Sequence, residues 1–323
     1  MQTLKEMSEI VGVSGYEEYI VRYVKDCLEN HNCENVSIDR IGNLFVHKKG
    51  VDTSPHLMII AHIDEVGFQV MSLKEDGSAK IKALGNIKTW NTINQKIITN
   101  DGRKKGIATC DNPQDIKPHE FDKITVMPTT GSFDIGDVFG FDIELIETDR
   151  QYIGKALDNR ASCYLMYKAI CDFSICNNDV DFVFSVQEEV GMRGARVAVS
   201  EVAPDIIIDL DVSPIGERNS LKLGNGIGIK ISDSIGISTT RLVEELEKIA
   251  CEENIKYQME VSDCGTSELI ITNEKDVGAE RIGISIPCHN IHSSLTCINK
   301  EDLEMGLRLI NAILQRGLTL KQL

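Results

Sequence analysis

Apolar residues recur along this chain in three textures, and each predicts a different kind of structure. Residues 1–30 read as helix, with Ile20, Val21, Val24 and Leu28 repeating at helical spacing. Within it, Ser14-Gly-Tyr-Glu17 has the form of a capping box, where serine and glutamate satisfy each other's backbone donors. Residues 36–48 then alternate, and Leu57-Met-Ile-Ile-Ala61 is a continuous apolar run of the type buried on both faces of a sheet.

From about Phe68 to Arg150 the texture changes. The runs Phe68–Leu73 and Ala79–Leu84 flank Glu75-Asp76-Gly77-Ser78, and Ile97–Thr99 and Gly106–Thr109 flank Asn100-Asp101-Gly102-Arg103. Asp-Gly between short alternating runs signals a hairpin. With no convincing helix here, residues 68–149 are expected to form a small, barrel-like all-β domain.

Beyond Arg150, strands and helices alternate. Asp181–Val186, Asp205–Ile208 and Arg281–Ile286 are short apolar runs, and helices are expected at 159–172, 191–202, 239–253 and 300–316. In the last, Asn299 is the predicted N-cap, and Leu303, Leu307, Ile310 and Leu314 share one face. Such alternation argues for an α/β sheet flanked by helices. The expected organisation is a domain of residues 1–67 and 150–323 interrupted by the β domain.

Candidate chemistry lies where the apolar strands end. Leu57–Ala61 runs into His62-Ile-Asp64-Glu65, and Asp181–Val186 into Gln187-Glu188-Glu189. Asp205–Ile208 meets Asp209-Leu-Asp211, Arg281–Ile286 continues to His289-Asn-Ile-His292, and Asp158 precedes a predicted helix. Open α/β sheets bind ligands outside the carboxyl ends of their strands. Five segments bringing only His, Asp and Glu to one place need cations to offset their charge. Any one of these residues alone reads as a cap or a solvated turn; the set reads as a metal site. Imidazole and carboxylate without thiolate suit Zn²⁺, Co²⁺ or Mn²⁺. Two ions would need a bridging carboxylate, for which Asp158 is a candidate. One of Glu188 and Glu189 could ligate while the other acts as base, because neighbours on extended backbone point apart.

Composition narrows the class. Among 323 residues, 50 Asp and Glu against 34 Lys and Arg give a net charge of −16, with 42% hydrophobic residues. A soluble globular chain repelled by nucleic acid and anionic membranes is expected. The first residues lack an apolar signal segment, and no apolar run is long enough to span a membrane. Ten scattered cysteines without a C-x-x-C pair read as buried, reduced thiols, so a cytoplasmic location is expected.

At these residues the chain resembles the M42 family of metallo-aminopeptidases. The matching motifs are Ala61-His-Ile-Asp-Glu-Val-Gly-Phe68, Lys155-Ala-Leu-Asp-Asn-Arg-Ala161, Gln187-Glu-Glu-Val-Gly-Met-Arg-Gly-Ala195, Asp211-Val-Ser213 and Ile291-His-Ser293. The resemblance implies two divalent ions, Zn or Co or else Mn, with His62 and Asp211 on one, Glu189 and His292 on the other, and Asp158 on both. It implies Glu188 as general base, Asp64 orienting His62, and a cis peptide at Asp158–Asn159. Peptide substrates follow, as does a homo-oligomer, in the family a dodecamer, with the β domain making subunit contacts. The chain departs from the family at Cys264-Gly-Thr-Ser-Glu268, where Gly-Gly-Thr-Asp-Ala is usual. It departs again at Ser293-Ser-Leu-Thr296, and its β domain is shorter near residues 128–136. Rival readings are a deacylase or dipeptidase on the same site, and a catalytically inactive assembly protein.

Overall fold

The computed structural model describes residues 2–173, 176–273 and 278–320. Its helices are α1 (Gln2–Glu9), α2 (Glu18–Asn30), α3 (Leu157–Asp172), α4 (Arg193–Val202), α5 (Thr240–Glu252) and α6 (Lys300–Arg316). The first strands are β1 (Val36–Ile38), β2 (Leu44–Lys48), β3 (Gly50–His62), β4 (Gly67–Leu73), β5 (Ala79–Leu84) and β6 (Lys96–Thr99). Next come β7 (Lys105–Thr109), β8 (Thr125–Thr130), β9 (Val138–Phe141), β10 (Ile146–Glu147), β11 (Gln151–Gly154) and β12 (Cys176–Ser185). The last are β13 (Ile206–Pro214), β14 (Ile227–Ser232), β15 (Tyr257–Val261), β16 (Glu280–His289) and β17 (Thr296–Asn299).

One large mixed sheet has the order β1-β2-β12-β3-β13-β16-β17-β11-β10, with β14 pairing β16 and β15 pairing β14. Its centre, β12-β3-β13-β16, is parallel. The continuous apolar run in β3 follows from that position. Leu57, Ile59 and Ala61 enter the main core beneath α1, α2, α3, α5 and α6, while Met58 and Ile60 join a second core under α4. Alternate side chains leave opposite faces of a strand. Both faces are covered, so both parities must be apolar.

The second unit is a closed barrel, β4-β5-β8-β7-β6-β9, filled by Phe68, Ile81, Ile97, Val126, Phe139 and Phe141. The hairpins β4–β5 and β6–β7 turn at the two Asp-Gly pairs, and this stretch contains only single-turn 3₁₀ segments. The barrel departs from the end of β3 and the chain rejoins the large sheet at β10, as an α/β sheet interrupted by a β module requires.

Three expectations need correction. Residues 1–30 hold two helices rather than one, separated by a short extended segment where Val13 bridges Glu65. The capping box does not form: Ser14 Oγ donates to Asp64 Oδ2 at 2.5 Å, and Glu17 accepts the N–H groups of Gly15 and Gln187 at 2.7 and 3.0 Å. A buried carboxylate outcompetes a helix end for the serine hydroxyl, because charge-assisted hydrogen bonds are the stronger ones. The third concerns the cysteines. All ten are free, but only Cys163, Cys176 and Cys288 are buried, and Cys251 is exposed. Asn299 does cap α6, accepting from Glu301 and Asp302 N–H at 2.8 and 3.3 Å.

Candidate active site

The C-terminal ends of β3, β12, β13 and β16 open onto one cleft of about 1040 Å³, and His62, Asp158, Glu188, Glu189, Asp211 and His292 all line it. His62 closes β3 beside Ser185 at the end of β12. Asp158 opens α3, after a left-handed Ala156 (φ 52°), and the Asp158–Asn159 bond is cis. Asn159 Nδ2 ties this turn to the Leu210 carbonyl in β13 at 2.8 Å. Gln187 and His292 also have positive φ, 58° and 55°. Left-handed backbone at several non-glycine residues costs energy and concentrates where side chains must be aimed.

Asp158 stands between the two imidazoles. Its Oδ1 is 3.2 Å from His62 Nε2 and its Oδ2 is 3.1 Å from His292 Nε2. Asp211 Oδ1 lies 3.7 Å from His62 Nε2, and Glu189 Oε1 lies 3.3 Å from His292 Nε2. Three overlapping donor groups result, His62/Asp158/Asp211, Asp158/Glu189/His292 and His62/Glu188/Glu189, each with its atoms within 4.8 Å of one another. Asp64 is not among them. It lies beneath the cleft, 3.4 Å from His62 Nδ1, and accepts the N–H of Glu188 and Glu189 at 3.0 and 3.2 Å. One buried carboxylate thus fixes the backbone of both glutamates and stands beside His62 without hydrogen-bonding its Nδ1.

These residues fit divalent cations on a structural argument. His292 Nδ1 faces the Asn86 carbonyl at 3.0 Å, so that nitrogen must carry the proton. Burial opposes charge on His292, yet Glu189 and Asp158 lift its imidazole well above the ordinary value, so in the metal-free chain Nε2 also carries a proton between two carboxylate oxygens. A divalent ion bound there takes that proton's place. Glu189 Oε1 is buried and accepts no hydrogen bond. The carboxylates behave accordingly. Burial drives the Glu188 and Asp211 carboxyls well above the usual range and raises Glu189. Burial also works against Asp158, but hydrogen bonds from His292 and His62 outweigh it and hold that group low. For His62, burial opposes charge, yet Asp158 and Asp64 overcome it and lift the imidazole well above its ordinary value.

Lys230 escaped the sequence reading, and Glu268 and Gly194 entered it only as members of motifs, without a role of their own. Lys230 on β14 is buried near Asp233, 3.7 Å away, and donates to Ser267 Oγ at 3.3 Å. A lysine inside the apolar run Ile227–Ser232 was the available signal. Glu268 donates no charge to the cleft. It accepts from Ser185 at 2.6 Å, and burial, then Asp209, pushes its carboxyl up to about 8. Gly194 is fixed by close approach: a Cβ there would meet Asn43 Oδ1 at 2.3 Å and the Val186 carbonyl at 2.4 Å.

The profile of the M42 glutamyl aminopeptidase family matches residues 42–309. This chain belongs to that family. M42 members are aminopeptidases, so the chain is a hydrolase of that class. A lysyl aminopeptidase of Pyrococcus furiosus is 28% identical across 97% of this M42 chain and 96% of its own. An aminopeptidase of the archaeon Desulfurococcus kamchatkensis superposes with a TM-score of 0.91 at 27% identity, covering 98% of this chain and 94% of its own. The Pyrococcus horikoshii TET1 peptidase, which can assemble into a tetrahedron or a large octahedral shell, has a TM-score of 0.87 at 22% identity, covering 98% and 99%. That last likeness is one of fold.

Proposed function

We propose that this M42 chain is a dinuclear-metal aminopeptidase that removes N-terminal residues from peptides, with Glu188 as general base. The observation carrying this reading is the single Asp158 carboxylate shared by two imidazole–carboxylate groups in one cleft. His62 and Asp211 would hold one ion, Glu189 and His292 the other, and Asp158 both, with Zn²⁺, Co²⁺ or Mn²⁺ suiting these donors. Divalent ions there supply Lewis acidity toward a scissile carbonyl and acidify water. Among the described residues no cation is hydrogen-bonded to the Glu188 carboxylate, and burial raises its proton affinity. It is thereby suited to take a proton from attacking water and return it to the leaving amine. Asp64 keeps Glu188, Glu189 and His62 in register through the three contacts described above.

Residues 1–67 and 150–323 would form the catalytic domain, with 68–149 as a cover and contact surface in a homo-oligomer. One solved relative is a dodecamer and the Pyrococcus horikoshii TET1 peptidase forms either a tetrahedron or a large octahedral shell, which supports a closed homo-oligomer such as a dodecamer. Among the described residues no helix is long and apolar enough to cross a membrane, and with ten free cysteines this supports a cytoplasmic setting.

Glu188→Gln tests the assignment. The variant should retain two ions per chain and lose about 10²–10⁴-fold in kcat on aminoacyl-anilides. Near-wild-type turnover would remove Glu188 from the role. Faster hydrolysis of N-acylated amino acids than of aminoacyl-anilides would replace the aminopeptidase reading with a deacylase.

A further inference from the structure

A second group of metal-type donors lies at the opposite end of the sheet. His47 on β2, Asp181 on β12 and His56 on β3 come from three neighbouring strands. The register pairs His47 with Asp181, and Asp181 with Met58, two residues beyond His56. Phe45, Val183 and Met58 each stand two residues from one of the three and share the apolar cluster under α4. Strand alternation therefore turns His47, Asp181 and His56 to that same face, just past its apolar rows.

The distances converge on one point. His47 Nδ1 is 3.2 Å from Asp181 Oδ1, and His56 Nε2 is 2.7 Å from Asp181 Oδ2. All three donor atoms lie within 4.8 Å of one another. Ligands at about 2.0–2.2 Å on a tetrahedral ion stand roughly 3.4 Å apart, so small side-chain shifts complete the set. The side chains are 39%, 27% and 15% exposed for His47, His56 and Asp181, which leaves a fourth position open to water. The backbone beneath is anchored, since His56 N–H donates to Asp205 Oδ2 at 2.8 Å and Asp205 N–H returns to the His56 carbonyl at 2.9 Å. Among the described residues no Lys or Arg forms an ion pair with Asp181. His62 lies six positions beyond His56 on β3, about 20 Å at the rise of a strand, so the two groups cannot share an ion.

We propose that His47, His56 and Asp181 bind one divalent transition-metal ion of the Zn²⁺, Co²⁺ or Ni²⁺ class, separate from the cleft, that clips β2, β12 and β3 together. Two imidazoles with one carboxylate select such ions over Mg²⁺ and Ca²⁺, which demand more oxygen ligands. The bound ion favours the folded state by mass action, raising the folded-to-unfolded ratio about 100-fold at a free concentration 100 times Kd.

The test compares the wild type with a His47→Asn/His56→Gln double variant. Both are saturated with Zn²⁺ alone, desalted into low-zinc buffer, and assayed for metal content, zinc-dependent unfolding and peptide hydrolysis. The wild type should hold one more zinc per chain and gain stability on zinc titration. The variant should lose that ion and that gain, yet keep its circular dichroism spectrum and hydrolysis. The count is a difference between two proteins, so it holds whatever the cleft binds. Equal metal content and equal zinc-dependent shifts would overturn the proposal. Should the variant not fold, wild-type crystals grown with Zn²⁺ decide. An anomalous peak at bonding distance from His47 Nδ1, His56 Nε2 and Asp181 is expected, and none there in zinc-saturated crystals overturns the site.

Discussion

Replacing Lys155 with methionine tests how the two segments that carry the cleft are tied together. Lys155 Nζ lies 2.7 and 2.9 Å from the two oxygens of Glu65, and the side chains are 1% and 2% exposed. Glu65 Oε1 also accepts the Gly12 N–H at 3.0 Å, and Arg160 Nη2 stands 3.9 Å away. Glu65 follows Asp64 directly and Lys155 precedes Asp158 by three residues, so this ion pair joins the end of β3 to the start of α3. Methionine conserves the volume and removes the charge, leaving a buried carboxylate with one backbone donor and a distant guanidinium. Breaking a buried pair costs about 3–5 kcal/mol, and the Arg160 contact puts Lys155→Met near about 3 kcal/mol. Glu65→Leu strands the ammonium instead, whose proton affinity burial already lowers, and should cost a similar amount. The double variant removes both charges of the pair and leaves the Gly12 N–H unpaired, at about 1–3 kcal/mol, and it takes the Glu65 charge away from the buried Arg160 just as Glu65→Leu alone does. A double-mutant cycle should therefore give a coupling of at least about 2 kcal/mol. Urea unfolding of the metal-free chain, followed by circular dichroism at pH 7, measures all four proteins. A Lys155→Met loss under about 1 kcal/mol, or strict additivity in the double variant, would refute the reasoning.

Other perturbations have equally specific outcomes. Asn299→Ala removes both cap bonds of α6 and should cost about 1 kcal/mol in urea titration; an unchanged midpoint would mean the cap is idle. Gly194→Ala drives a methyl against the Val186 carbonyl and Asn43, displacing the loop that carries Glu188 and Glu189. It should lose about 1–3 kcal/mol of stability and turn over more slowly than wild type, and an active, fully stable variant would contradict the close approach. For Glu17, burial and then Asp64 push the carboxyl from an ordinary 4.5 up to about 7. Between those values the folded chain keeps a proton that the unfolded chain has released, so stability falls as pH rises, by about 3 kcal/mol in all. Glu17→Gln, unable to ionise, should flatten the stability profile over that window in the metal-free protein, and superimposable profiles would count against it.

How much of this was legible beforehand depended on whether local pattern carried the information. The central strands announce themselves because burial on both faces leaves a run such as Leu57–Ala61 no room for polar residues. The acids and histidines that end them stand out against that background, and the structure gathers His62, Asp158, Glu188, Glu189, Asp211 and His292 in one cleft while Asp64, Glu65, Asp209 and His289 do not line it. The strands β14, β15 and β17 went unread, since each is short and carries polar residues that only its neighbours explain. Ser14 and Glu17 misled because a capping box is defined by spacing, whereas their partners Asp64 and Gln187 are supplied by chain folding. The same limit hid His47, His56 and Asp181, whose proximity depends on the register of three strands.

The spacing of the cleft residues along the chain also has a kinetic meaning. His62 and Asp158 are 96 residues apart, and His292 is held by a carbonyl 206 residues earlier. No fragment shorter than His62–His292 contains all five candidate ligands, and the barrel must be synthesised and looped out before Asp158 can meet His62. Contacts of such long range wait on loop closure, as does the parallel pairing of β3 with β12 and β13, whose partners stand further apart still than His62 and Asp158. Each nascent chain therefore exposes its carboxylates singly to the cell's cations and gathers them only when the sheet is nearly whole. Ion capture would then report completed folding rather than initiate it.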